Sequence, residues 1–202
     1  MQLLIATSNP AKVERVRKLL ADIKAQILTP VEAGITPVDI EEGSDIAENA
    51  VRKARAYLDL TKLPILGLDS AFVISGETID PAKVKRNALG NRDEDTLTPQ
   101  EIGDLMINYY KKLAQNHGGQ IPAYWQDAIV LVLPDGSVRQ EQARRDVTLT
   151  TESHGAVNPH VPLRSMYIVA ANGKYATEQS LEDEMKELRP VKEALERLVA
   201  QI

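Results

Sequence analysis

Leu3-Leu4-Ile5-Ala6-Thr7-Ser8-Asn9-Pro10-Ala11-Lys12 is the stretch whose reading decides the fold. Leu3 to Thr7 form an apolar, branched run suited to a buried strand. Ser8 or Asn9 can cap a helix, and Pro10 suits its first turn, where a missing N–H costs nothing. Val13, Val16, Leu19, Leu20 and Ile23 then recur at helical spacing. A strand that turns sharply into a capped helix aims free backbone N–H groups past the sheet edge, where they and the helix dipole favour phosphate. Lys12, one turn in, adds a positive charge. An ordinary βα unit with a good cap reads the same way from spacing alone.

The chain has 202 residues, enough for one domain over residues 1–202 with a sizeable core. It has no cysteine, which excludes disulfides, thiolate catalysis and cysteine metal sites, and which suits a cytoplasmic protein. No basic leader and no long apolar segment precede the first strand, so neither a signal peptide nor a membrane span is expected. The net charge of −5 argues against a nucleic-acid coat protein, though not against a small anionic ligand held by a few placed lysines and a metal ion.

Further along, Ala25 to Thr29 reads as a second strand, and residues 31–43 as a loop with the acidic pair Glu41-Glu42. Ser44 or Asp45 opens a second helix, with Asp45 and Glu48 at capping-box spacing. On it Asp45, Asn49 and Lys53 share a stripe at i, i+4, i+8 that suits either a cleft wall or a solvated face. Pro64 to Leu68 is another buried-strand candidate that runs through Asp69-Ser70 into Ala71 to Ile74. A carboxylate between two apolar runs is costly to bury alone, so Asp69 is either paired, at a strand end facing a site, or in a capped turn. Residues 76–97 read as a long loop, and Thr98-Pro99-Gln100-Glu101 as a helix start with cap, proline and glutamate in register. Tyr124 to Leu133, a Pro134-Asp135-Gly136 turn and the strand around Val138 read as a hairpin, and Met166 to Ala170 as a further strand. Leu181 to Leu188, then a helix after Pro190, close the chain. His154 and His160 lie in a polar loop and receive no role.

Ser8, Asn9, Lys12, Glu41, Lys53, Asp69 and Ser70 thus gather around one kind of chemistry. Carboxylates suit Mg²⁺, which takes one or two of them plus phosphate oxygens and water. Lysines and N–H groups offset phosphate charge that grows in a transition state. This is the inventory of a metal-assisted phosphoanhydride hydrolase.

Three ordered segments carry a family resemblance over roughly residues 1–75: Ala6 to Lys12, then Glu41-Glu42-Gly43 leading into Glu48 to Ala54, then Pro64 followed by Leu68-Asp69-Ser70. Together they resemble the inosine triphosphate pyrophosphatase family, which hydrolyses non-standard purine nucleoside triphosphates to monophosphate and pyrophosphate. The resemblance implies an elongated α/β fold, with a mixed β-sheet flanked by helices and two lobes around a central cleft. It also implies Mg²⁺ dependence, a nucleoside triphosphate substrate and a homodimer. By position, Ser8, Asn9 and Lys12 would hold the triphosphate, and Glu41 and Asp69 the Mg²⁺. Asp69 would help activate water, Lys53 would contact phosphate as a catalytic and binding residue, and Ser70 would hydrogen-bond substrate.

Departures from the family pattern concentrate later in the chain. Leu68 stands where the family has a further aspartate, and Ala71 where it has glycine. Leu163-Arg164-Ser165-Met166-Tyr167 lies where a glycine- and aromatic-rich segment packs on the base. Glu187-Leu188-Arg189-Pro190 lies near the position of a serine–histidine–arginine motif. Phosphate and metal handling therefore read as retained and base recognition as rebuilt. A non-catalytic nucleotide-binding protein on the same scaffold is the alternative, motivated by Leu68. A phosphatase acting on another phosphorylated metabolite is the third reading.

Overall fold

The computed structural model describes residues 1–202. Its mixed six-stranded sheet runs in the order β2-β1-β3-β4-β5-β6, where β1 is Gln2–Ile5, β2 Gln26–Leu28, β3 Ile65–Ile74, β4 Gln120–Val132, β5 Val138–Thr150 and β6 Tyr167–Val169. β1 lies parallel to both β2 and β3, with Ile5 level with Leu66. β5 and β6 are antiparallel. The chain forms two compact units: Met1–Ser70, Gln126–Arg144 and Arg189–Ile202 make the first, and Ala71–Trp125 with Arg145–Leu188 the second.

In the first unit, Leu3, Leu4 and Ile5 are completely buried, which is why this strand reads as a continuous apolar run rather than an alternating one. α1 (Pro10–Leu19) follows with Asn9 as its cap, and Val13, Val16 and Leu19 face inward. α2 (Ile46–Arg55) starts on Asp45, whose side chain accepts from the N–H groups of Ala47 and Glu48. Glu48 does not complete a capping box; it pairs one turn on with Arg52. The buried face of α2 is small, Ala50 and Ala54. Gly67 of β3 lies directly beneath, where an added Cβ would stand 2.1 Å from the Ala50 carbonyl oxygen. Helix and strand therefore touch backbone to backbone, which lets short α2 side chains reach β3. Turn residues 134–136 close the β4–β5 hairpin: the Leu133 N–H donates to the Ser137 carbonyl, and Gly136 adopts the positive φ of 84° that favours glycine. α6 (Arg189–Val199) buries Val191, Ala194, Leu195, Leu198 and Val199.

The second unit has its own core of Phe72, Ile74, Met106, Tyr110, Leu149, Met166 and Tyr167 among others. α4 (Pro99–Asn116) opens with the expected capping box, Thr98 and Glu101 bonding each other's backbone N–H. The stretch 76–97, expected as a loop, contains α3 (Val84–Leu89) and a 3₁₀ turn at Glu94–Thr96. Ala88 and Leu89 anchor it in the core, and the Tyr110 hydroxyl donates to the Val84 carbonyl. Six residues with two apolar anchors are too short for periodicity to reveal. Met166 ends a 3₁₀ turn begun at Pro162, so β6 is shorter than the expected strand. α5 (Leu181–Glu187) completes the unit, and its Glu187 pairs with buried Arg145 at 2.8 Å.

Candidate active site

β3 outruns β1. The last paired residue of β1, Ile5, is level with Leu66, so Asp69 and Ser70 lie beyond the carboxyl end of β1, where the chain turns into α1. In open α/β sheets, ligands bind outside the carboxyl ends of parallel strands. Asp69 is 5% exposed and is held from three sides. Lys53 of α2 places its ammonium 2.8 Å from Asp69 Oδ1, Lys12 of α1 stands 3.7 Å from the same oxygen, and Asn49 Nδ2 donates to Oδ2 at 3.0 Å. The α2 stripe noted in the sequence thus divides by position: Asp45 caps the helix, while Asn49 and Lys53 converge on Asp69.

Asn49 is the fastener of this arrangement. Its amide also donates to the Gly43 carbonyl at 3.0 Å and accepts from the Gly43 N–H at 2.8 Å, with only 1% of the residue exposed. All of its amide hydrogens and its oxygen are used, so the loop before α2 is locked to the Asp69 carboxylate. The lock sets which acidic residue enters the cluster. Glu42 Oε1 lies 2.7 Å from the Lys53 ammonium, whereas Glu41, the residue expected to act with Asp69, is exposed and joins none of these ion pairs. No group of three or more His, Cys, Asp or Glu side chains forms a metal cage, so a divalent cation here would draw the rest of its shell from phosphate and water.

The two lysines respond to this crowding in opposite ways. Burial, and then the positive charge of Lys53, hold Lys12 below the ordinary lysine pKa, and the pull of Asp69 does not compensate. Burial also opposes the Lys53 ammonium, but Asp69 and Glu42 overcome it and raise its pKa. Lys12 is therefore a cation held where the protein alone does not fully neutralise it, a state that an added phosphate would relieve. Lys12→Met is expected to raise thermal stability by about 1 kcal/mol, a few degrees in melting temperature, while weakening triphosphate affinity. The sign follows from linkage. The folded pKa is lowered, so the cost of the charge is full below that lowered value and fades as pH rises from it toward 10.5. Melting curves at pH 7 and pH 10 check both points: a variant less stable than wild type at pH 7 contradicts the account.

At the start of α1 the side-chain oxygen of Asn9 accepts from the N–H groups of Ala11 and Lys12 at 3.0 and 3.3 Å, so it is used in capping. Ser8, one residue earlier, is exposed. Ser70 is half-buried, and its hydroxyl donates to Asp127 Oδ1 at 2.7 Å. Asp127 of β4 is 1% exposed and lies 3.5 Å from the Arg15 guanidinium. Sequence reasoning passed over Asp127, Arg15 and the role of Glu42. The signal for Asp127 was present, since it is a carboxylate leading straight into Ala128-Ile129-Val130-Leu131, the same pattern that singles out Asp69.

Fold and site define an α/β protein with paired lysines and carboxylates at the carboxyl end of a parallel strand pair. The profile of the Ham1 family matches residues 3–158, and the chain belongs to that family. A dITP/XTP pyrophosphatase from Bradyrhizobium diazoefficiens is 28% identical over 158 residues, 76% of this chain and 71% of that protein. Another from Streptomyces coelicolor is 30% identical over 150 residues, 73% and 72% of the two chains. Among solved structures, a HAM1 protein from Coxiella burnetii superposes with a TM-score of 0.78 at 20% identity, covering 100% of both chains. The Staphylococcus aureus Ham1 protein does so with 0.73 at 17%, again over 100% of both. No helix is long and apolar enough to cross a membrane.

Proposed function

We propose that this protein is a Mg²⁺-dependent nucleoside triphosphate pyrophosphatase acting on non-standard purine nucleotides. The observation that carries the reading is Asp69 set between the ammonium groups of Lys53 and Lys12, at 2.8 and 3.7 Å, beside the opening of α1. The names of the relatives, dITP/XTP pyrophosphatases, support the substrate class. In this reading Lys12 and Lys53 bind the phosphate chain, and the backbone at the start of α1 faces its charge. A water attacks the α-phosphorus, the α–β phosphoanhydride bond breaks, pyrophosphate leaves, and the water's proton passes to Asp69 and on to solvent. Asp69, with Glu42 or its neighbour Glu41, would hold Mg²⁺; the fit is that Asp69 and Glu42 converge from two segments on one positive charge. The cation would screen the phosphate charge.

A second reading, a nucleotide-binding protein without turnover, is favoured by Leu68. It is 1% exposed and apolar, so it supplies no acid where the resemblance calls for one. One assay separates the two. Inosine, xanthosine, guanosine and pyrimidine triphosphates are incubated with Mg²⁺ and scored for pyrophosphate and orthophosphate. Pyrophosphate from inosine or xanthosine nucleotides supports the enzyme. Nucleotide binding without product from any substrate supports the second reading, and orthophosphate as the first product defeats both.

A further inference from the structure

We infer that buried Asp127 is a positioning residue that turns the Ser70 hydroxyl into a pure hydrogen-bond acceptor, so that Ser70 receives an O–H donor and not a phosphate oxygen. The inference rests on the proposed pyrophosphatase reading and assigns a polarity within the same site. Consecutive strand residues point to opposite faces, so Asp69 and Ser70 serve opposite sides of β3. Asp69 turns to Asn49 and Lys53 on α2, and Ser70 to Asp127 on β4 and toward Arg15 of α1. Lys12 and Arg15, three residues apart on α1, join the two sides, and the Lys12 ammonium feels the charges of both Asp69 and Asp127.

A hydroxyl has one proton and two lone pairs, whereas a carboxylate can only accept. At 2.7 Å the Ser70 proton is committed to Asp127. Asp127 is 1% exposed and has the Arg15 guanidinium beside it, so its charge is buried with a partner rather than offered to a ligand. What half-buried Ser70 still presents is lone-pair density. Phosphate oxygens at neutral pH are acceptors too, so Ser70 is mismatched to the triphosphate itself. Its partner must carry an O–H: the attacking water or a sugar hydroxyl of the nucleotide.

The test compares Ser70→Ala, Ser70→Thr, Asp127→Asn and the double variant Ser70→Ala/Asp127→Asn in full-length protein. Pyrophosphate release from inosine triphosphate and its 2′-deoxy and 3′-deoxy forms is measured alongside melting temperature. Ser70→Ala is expected to lose about 10- to 100-fold in kcat/KM per folded molecule, the size of one hydrogen bond near charge, beyond what its lower melting temperature accounts for. Ser70→Thr, which keeps the hydroxyl, is expected to stay within a few-fold of wild type. The losses of the two single changes are expected not to multiply in the double variant, because both act through the one Ser70–Asp127 contact. If the donor is water, kcat falls equally for all three nucleotides; if it is a sugar hydroxyl, KM rises and the effect disappears for the form lacking that hydroxyl. Wild-type rates in Ser70→Ala, or losses that simply multiply in the double variant, overturn the inference. So does a loss in Asp127→Asn that disappears when activity is expressed per folded molecule. A wild-type protein that releases no pyrophosphate counts against the proposed function instead, and is read before any variant.

Discussion

Asp69→Asn is expected to lower kcat/KM for pyrophosphate release by roughly 10³-fold or more, about 4 kcal/mol of transition-state stabilisation. The substitution keeps shape and removes charge. In wild type the carboxylate balances Lys53 at 2.8 Å and Lys12 at 3.7 Å, and Asn49 holds its second oxygen. Without it Lys53 keeps only half-exposed Glu42 as an ion-pair partner, Lys12 keeps none in direct contact, and a proposed cation ligand and proton acceptor is lost. Breaking a buried ion pair by deleting one partner also costs about 3 kcal/mol in stability. The pH dependence of that cost has a definite sign. Asp69 is the foremost of the groups that raise the Lys53 pKa, so its contribution to stability is full below the ordinary lysine value of 10.5 and is lost as pH rises through the raised one. The stability gap between wild type and variant should therefore stay wide from neutral pH up to about 10.5 and narrow only as pH rises beyond that. Added pyrophosphate, which supplies the missing negative charge, should raise the melting temperature of the variant more than that of wild type. Steady-state assays and melting curves with and without pyrophosphate read these outcomes. Turnover within tenfold of wild type would remove Asp69 from the mechanism.

Gly67→Ala is expected to be the most damaging change to stability in the first unit, at about 3 kcal/mol or more, the upper end of the cost of overpacking. The added methyl would stand 2.1 Å from the Ala50 carbonyl oxygen and 2.8 Å from a methyl of Val130. A flexible side chain could swing aside, but the backbone of α2 can yield only by moving the whole helix. That movement would carry Asn49 and Lys53 away from Asp69, so the surviving folded protein should show reduced kcat/KM as well. Chemical denaturation measures the first effect, and activity per folded molecule the second. A variant as stable as wild type would mean that α2 does not need its close seat on β3.

Most of the first βα unit was legible in the sequence because its forces are local. Leu3, Leu4 and Ile5 announce a strand buried on both faces, and Asn9-Pro10 announce a cap and a first turn, each through contacts between residues a few positions apart. Thr98 to Glu101 was legible for the same reason, and the structure shows the full capping box. The stripe of Asn49 and Lys53 and the isolated carboxylate Asp69 were visible as chemistry in need of partners. Local pattern could not say which partners they take. That Glu42 rather than Glu41 meets Lys53 depends on how Asn49 ties down the Gly43 backbone, a geometry no spacing rule encodes. That Ser70 is bonded to Asp127, 57 residues away, and that Arg15 stands beside that carboxylate depends on β3 and β4 being neighbours in the sheet. Sequence alone determined the capped helices and the buried strands, though not α3, and the inventory of charges, because helix caps and buried runs are short-range effects. Tertiary structure decided which charges meet, because hydrogen-bond partners are chosen across strands and between helices, where separation along the chain carries no information about distance.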